Sequence, residues 1–179
     1  DRQLAWDRLE DLRTLASMRA GNIEGQRMLF LFWSLNFMAL SHAVTPASFW
    51  KESQSLAASL SPGWSFDKSE LSTVYEKTKA YFEGEVVDFD GRKVPPLYTP
   101  RNATLIERFG ITDDEQRKLR TIVSKEEAKR RDAERKRLAR RAAGAQERAA
   151  YEATAQHRRE VAQALREEGL SLRKIAKQM

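Results

Sequence analysis

The thirteen residues Met28-Leu-Phe-Leu-Phe-Trp-Ser-Leu-Asn-Phe-Met-Ala-Leu40 constrain this chain more than any other stretch. Ten of them are large and apolar, and Ala39 adds an eleventh apolar position. A helix that is apolar all round has no face to give to water and must be enclosed by other elements. A strand fits less well, because Met and Leu dominate, no residue is β-branched and the run is long for a strand. Thirteen residues also fall short of the roughly 20 that span a bilayer. The stretch therefore predicts a buried central helix from about Glu24 to His42, wrapped by three or four others. It predicts core, with no chemistry assigned to it.

The flanking sequence supplies the wrapping. Over residues 2–19, Leu9, Leu12, Leu15 and Met18 recur every third position, and Ala5, Trp6 and Ala16 widen the stripe. The opposite face carries Asp7, Arg8, Asp11 and Arg19, and Gly21-Asn22 ends the helix. The chain opens inside this helical pattern without a cap or a Met, as expected of a piece of a longer protein. Thr45-Pro46 reads as an N-cap followed by Pro at the first helical position. Phe49, Leu56, Ala57 and Leu60 make the inner face of that helix, which Ser61-Pro62-Gly63 breaks. Asp67 and Glu70 form a capping-box pattern that opens a fourth helix. It shows Leu71, Val74, Tyr75, Thr78, Tyr81 and Phe82 on one side and stops at Gly84.

Residues 85–95 hold the one convincing β signal: Asp90-Gly91 between short alternating runs marks a two-residue hairpin, closed by Pro95-Pro96. Two helices followed by a hairpin resemble a helix-turn-helix with a wing. Arg92, Lys93 and Arg101 would then place positive charge at the base and exit of the wing. A plain hairpin covering the bundle fits these residues equally well. Asn102 reads as the cap of a short helix through Phe109, ended by Gly110. Thr112-Asp-Asp-Glu115 is a capping box that opens a helix to about Val123.

Ser124-Lys-Glu-Glu127 repeats the capping pattern and starts the longest element, which reads as far as Glu168. Between Lys125 and Arg141 it holds nine basic and four acidic residues, with Leu138 as its one large apolar side chain. Such a helix has nothing to bury, stands on Ala content and pairs such as Glu127–Arg131, and shows no coiled-coil heptad. Gly144 marks a kink or break. From Arg159 the character changes: Val161, Ala162 and Leu165 form a stripe, Gly169 permits a turn, and Ser171 caps a helix with Leu172, Ile175 and Ala176. This reads as the first two helices of a helix-turn-helix, with the reading helix absent.

Charge divides along the same line. Residues 1–110 carry 13 Lys and Arg against 14 Asp and Glu, whereas residues 111–179 carry 19 against 12. The excess positive charge of the second part points to a polyanion such as nucleic acid. Arg130, Arg137 and Arg141 lie seven and four apart on one helical face, flanked by Lys129 and Lys136, a row suited to phosphates. A solvated helix held by pairs four residues apart is the alternative. No Cys is present, which removes disulfides and thiolate metal sites and suits a reducing cytoplasm. No signal peptide, membrane span or glycine-rich phosphate loop is seen. His42 and His157 lack ligand-spaced carboxylates, and Asp88 and Asp90 suit turn positions better than a metal pair. The reading contains no catalytic centre, metal or cofactor.

Three stretches carry a resemblance: Gly25-Gln-Arg-Met-Leu-Phe-Leu-Phe32, Tyr98-Thr-Pro-Arg-Asn-Ala-Thr-Leu-Ile-Glu-Arg-Phe-Gly-Ile-Thr112 and Ile122-Val-Ser-Lys-Glu-Glu-Ala-Lys-Arg-Arg-Asp132. Together they resemble the helical region that follows the polymerase-like part of replication proteins on bacterial plasmids and integrative elements, the primase-polymerases with a primase C-terminal helical domain. The resemblance covers roughly residues 4–141 and the partial helix-turn-helix. It implies engagement of a single-stranded template and the initiating nucleotide, with metal-binding carboxylates in a preceding catalytic domain that this chain lacks. No residue here inherits catalytic activity from it.

The expected architecture is mainly α. A helical bundle over residues 1–123 carries the hairpin, a long charged helix covers 124–157, and 158–179 begin a helix-turn-helix. The expected role is DNA binding, single-stranded or duplex, as an accessory region of a mobile-element replication protein. Its partners would include other domains of the same longer protein and no membrane. A winged-helix transcriptional regulator and a structural module with a helical spacer are the alternatives. Salt-dependent DNA binding separates the spacer from the other two, and sequence preference separates the regulator from the replication protein.

Overall fold

The apolar run forms a helix and is enclosed. In the computed structural model, which describes residues 2–20, 22–144 and 147–178, helix α2 spans Arg27–Leu40 and is entered through a 3-10 turn at Glu24–Gln26. It packs against α1 (Arg2–Met18), α3 (Phe49–Leu60) and α4 (Ser72–Phe82). Phe30, Leu31, Leu35, Phe37 and Ala39 are wholly buried, and the same core takes in Leu97, Phe109, Leu119 and Ile122. Among the described residues the protein is mainly α with one two-stranded antiparallel hairpin.

α2 ends in a Schellman motif. The His42 N–H donates to the Ala39 carbonyl at 3.1 Å and the Ala43 N–H to the Met38 carbonyl at 2.8 Å. His42 takes the left-handed position at φ +63°, where glycine is usual. The amide within the run also has a use. Asn36 is wholly buried; its Nδ2 donates to the Tyr98 carbonyl at 2.8 Å and its Oδ1 accepts the Tyr98 N–H at 2.9 Å.

α1 departs from the expected amphipathic pattern, because its charged side is a second interface. Asp11, assigned to solvent by periodicity, is only 2% exposed. Its carboxylate accepts the backbone N–H groups of Arg120, Thr121 and Ile122 and the Thr121 hydroxyl, all at 2.7 Å. Arg8 Nη2 donates to Asn102 Oδ1 at 2.9 Å, while its Nε is buried without a partner and burial pushes the guanidinium pKa down. Charged groups tolerate burial where nearly every polar atom finds a partner, and hydrophobic periodicity is blind to that.

The same network moves several boundaries. Asn102 is the first residue of α5 (Asn102–Phe109), Arg101 holds the cap position, and the Asn102 amide donates to the carbonyls of Thr121 and Val123. Helix α6 is Asp113–Gln116 and stops well short of Val123. The N–H groups of residues 120–122 go to Asp11, so the chain has no helical ladder to continue there. Thr45-Pro46 opens a turn, with the Ser48 N–H on the Thr45 carbonyl at 3.1 Å, and α3 starts at Phe49. The capping boxes at Asp67/Glu70 and Thr112/Glu115 are both formed. The one at Asp67 first makes a 3-10 turn, Lys68–Leu71, ahead of α4. Gly21, read as part of the end of α1, lies outside the described residues.

Arg19, the last charge of that face, holds α5 and α6 together. Its Nε lies 2.6 Å from Glu115 Oε1 and its Nη2 2.8 Å from Oε2, while Nη1 donates to the Phe109 carbonyl at 2.8 Å. These bonds hold the Glu115 carboxyl down at about 2, against the ordinary 4.5, with the Arg19 hydrogen bond the largest cause. A carboxylate lowered by folding stabilises fully above its unfolded value and loses that stability as pH falls through its folded one. Stability should therefore drop as pH goes from 4.5 towards about 2, by at most about 3 kcal/mol from this group. Glu115→Gln should be less stable at neutral pH and lose that part of the acid dependence, as read by urea midpoints across the window.

The hairpin pairs β1 (Val87–Phe89) with β2 (Arg92–Val94), matching Val87 to Val94, Asp88 to Lys93 and Phe89 to Arg92. Asp90 and Gly91 have φ +54° and +73°, the type I′ signature. Asp88 Oδ1 accepts the Gly91 N–H at 3.0 Å, so both aspartates serve the turn.

The chain divides into two units, Asp1–Ala128 and Lys129–Met179. Helix α7 spans Lys125–Ala142 and stops there instead of running on to Glu168. Gly144, at φ +89°, takes a left-handed conformation that a helix cannot contain. Within the second unit, α8 (Arg148–Glu167) turns at Gly169 into α9 (Leu172–Gln178). α8 thus runs through the expected boundary at 157/158. Ile175 is buried in this unit, whereas Leu172 is 66% exposed. No helix among the described residues is long and apolar enough to cross a membrane.

Candidate nucleic-acid interface

α7 exists without a core. None of its residues is buried. Ser124 caps it by accepting the Glu127 N–H at 3.1 Å, and acidic residues fill its first turn and basic ones its last, matching the helix dipole. From Lys129 to Arg141 it displays eight basic and two acidic residues. Lys129, Arg130, Lys136, Arg137 and Arg141 are all exposed.

The row is paired within itself. Glu134 lies on the same face, 3.3 Å from Arg130 and 4.0 Å from Arg137. Arg141 meets Glu147, and Lys136 Nζ is 2.7 Å from Asp132, whose carboxyl pKa is lowered first by that hydrogen bond. Exposed pairs of this kind are worth about 0–1 kcal/mol, so phosphates can displace them. Spacing puts the arginines on one face, and Arg130–Glu134 is a pair of the four-apart kind expected of a solvated helix.

The hairpin cations belong to the first unit. In the two-residue register Arg92 lies across from Phe89 and Lys93 from Asp88, which puts Arg92 and Lys93 on opposite faces of the ribbon. Arg92 stands beside the turn, at the tip of the hairpin, and Lys93 one position nearer its base. Arg101 is exposed at the start of α5.

A further feature escaped the sequence reading. The hairpin, the segment after it, α2, α4 and α5 line a groove of about 580 Å³ that includes Phe32, Trp33, Lys77, Phe89, Tyr98 and Arg108. Tyr98 packs at 5.7 Å from Phe32 and 5.9 Å from Trp33, between ring centroids. Lys77 Nζ sits 4.7 Å from the Tyr98 ring centroid and donates to the Pro96 carbonyl at 3.0 Å, and the Arg108 guanidinium lies 5.9 Å from that of Trp33. The hairpin register was the available signal, since it sets Val87, Phe89 and Val94 on one face.

Among the described residues, no group of His, Asp or Glu could hold a metal ion. No family model, curated protein or solved structure matches the chain.

Proposed function

We propose that this chain is a DNA-binding accessory region of a replication protein of the primase-polymerase kind, and that α7 grips the phosphate backbone. One observation carries the binding reading: a helix of 18 residues buries none of them and is dominated by basic side chains. Packing does not account for those charges, whereas neutralising a polyanion does. The replication context rests on the sequence resemblance alone. Arg130, Arg137 and Arg141 are the phosphate contacts, with Lys129 and Lys136 beside them; Arg92, Lys93 and Arg101 offer weaker, separate contacts on the first unit. Such contacts bind without regard to sequence.

Replacing Arg130, Arg137 and Arg141 by Gln together tests this. Affinity should fall uniformly across DNA sequences. The slope of log affinity against log salt should shrink by about 0.9 per lost contact on duplex, or about 0.7 on a single strand. Gln keeps helix propensity, so circular dichroism should not change. An unaltered slope would leave α7 as a solvated spacer, the reading that Glu134 in the middle of the row favours.

A further inference from the structure

We infer that the groove beneath the hairpin takes unpaired nucleotides of a single nucleic-acid strand, with Phe89 as a stacking ring; the inference rests on the DNA-binding reading above. Its residues include Lys77 and Arg108 but no aspartate or glutamate, in a unit where acidic and basic residues are otherwise nearly balanced. Phe89, the last residue of β1 before the turn, is 72% exposed, and Val87 on the same face is 45% exposed. Arg92 lies across the ladder from Phe89. The two cations of the lining come from separate elements, α4 and α5, and Arg92 stands outside the lining on β2, so the charges are spread in a way that suits a run of phosphates better than one anion.

The opposite wall is fixed in advance. Asn36 holds both backbone polar groups of Tyr98, Lys77 holds the Pro96 carbonyl, and the Tyr98 ring rests on Phe32 and Trp33. Rings interleaved with cations are how single strands are bound, since every base has a π face and every link a phosphate. A duplex hides its base faces in the stack and cannot use the rings. An acidic peptide would meet the cations and leave Phe89 without a purpose.

The full chain should be titrated against fluorescent oligo(dT) and a duplex of equal length at low salt, as wild type, Phe89→Ala and Phe89→Trp. Phe89 is exposed, so the fold should survive, which the emission of the native tryptophans verifies. Phe89→Ala should weaken oligo(dT) binding by about tenfold and leave duplex binding within about twofold. Phe89→Trp should keep the affinity, and its emission should be quenched by oligo(dT) at nucleotide concentrations where dTTP has no effect. Equal losses on both DNAs, or none on oligo(dT), would overturn the groove, and equal quenching by dTTP would make it a mononucleotide site instead. A groove that fails while the α7 triple variant still loses its salt slope leaves the phosphate row standing. A triple variant without effect beside a strand-selective Phe89→Ala does the reverse.

Discussion

Asp11→Ala should destabilise the first unit by about 3–5 kcal/mol, as much as breaking a buried charge pair. The carboxylate is nearly inaccessible and satisfies three backbone N–H groups and one hydroxyl in the segment 120–122. Removing it orphans these donors, and each buried unsatisfied donor costs about 1–3 kcal/mol. Asp11→Asn should recover little, because its amide turns a donor towards other donors. All four tryptophans, at positions 6, 33, 50 and 64, lie in this unit, so their emission during urea unfolding reports on it alone. Glu10→Ala, a neighbouring carboxylate paired with exposed Arg13, should cost under about 0.5 kcal/mol. Similar costs for the two variants would mean that residues 120–122 are held by packing instead of by Asp11.

Phe37→Ala should cost about 3–5 kcal/mol, and Leu35→Ala about 2–5 kcal/mol. Both side chains are wholly buried on α2, whose residues meet three other helices, so no single neighbour can collapse into the void. The Phe37 ring lies 5.8 Å from that of Trp33 and 5.8 Å from the Arg8 guanidinium. Its loss removes ring packing and leaves the partly buried Arg8 without a face to lie on. Urea midpoints by tryptophan emission measure the effect. Losses below about 0.5 kcal/mol in both variants would mean that α2 does not organise the core. Each substitution should spare α7, since that helix has no buried residue to lose.

Much of the fold was legible because local chemistry and tertiary structure agree. The apolar run became the enclosed helix. Asp90-Gly91 made the predicted turn, and the boxes at Asp67 and Thr112 formed with both reciprocal bonds. In each case a few adjacent residues contain the whole cause. The candidate interface was half legible: spacing put Arg130, Arg137 and Arg141 on one face and allowed four-apart pairs such as Arg130–Glu134, but the pairing of Arg141 with Glu147 emerged only from side-chain placement.

What the sequence determined by itself is therefore what depends on neighbours within about four positions: helix periods, caps, the hairpin turn and the concentration of positive charge after residue 110. Tertiary structure decided the rest. Asp11 reads as a surface residue until a segment more than a hundred positions away offers it N–H groups, and Asn102 reads as a cap until the Thr121 carbonyl reaches it. Phe89, Tyr98 and Arg108 mean little apart and become a groove only when hairpin, helix and exit segment converge. The physical reason is that burying a polar group is favourable only with its partner present. That partner is chosen by the path of the chain through space, which no local pattern records.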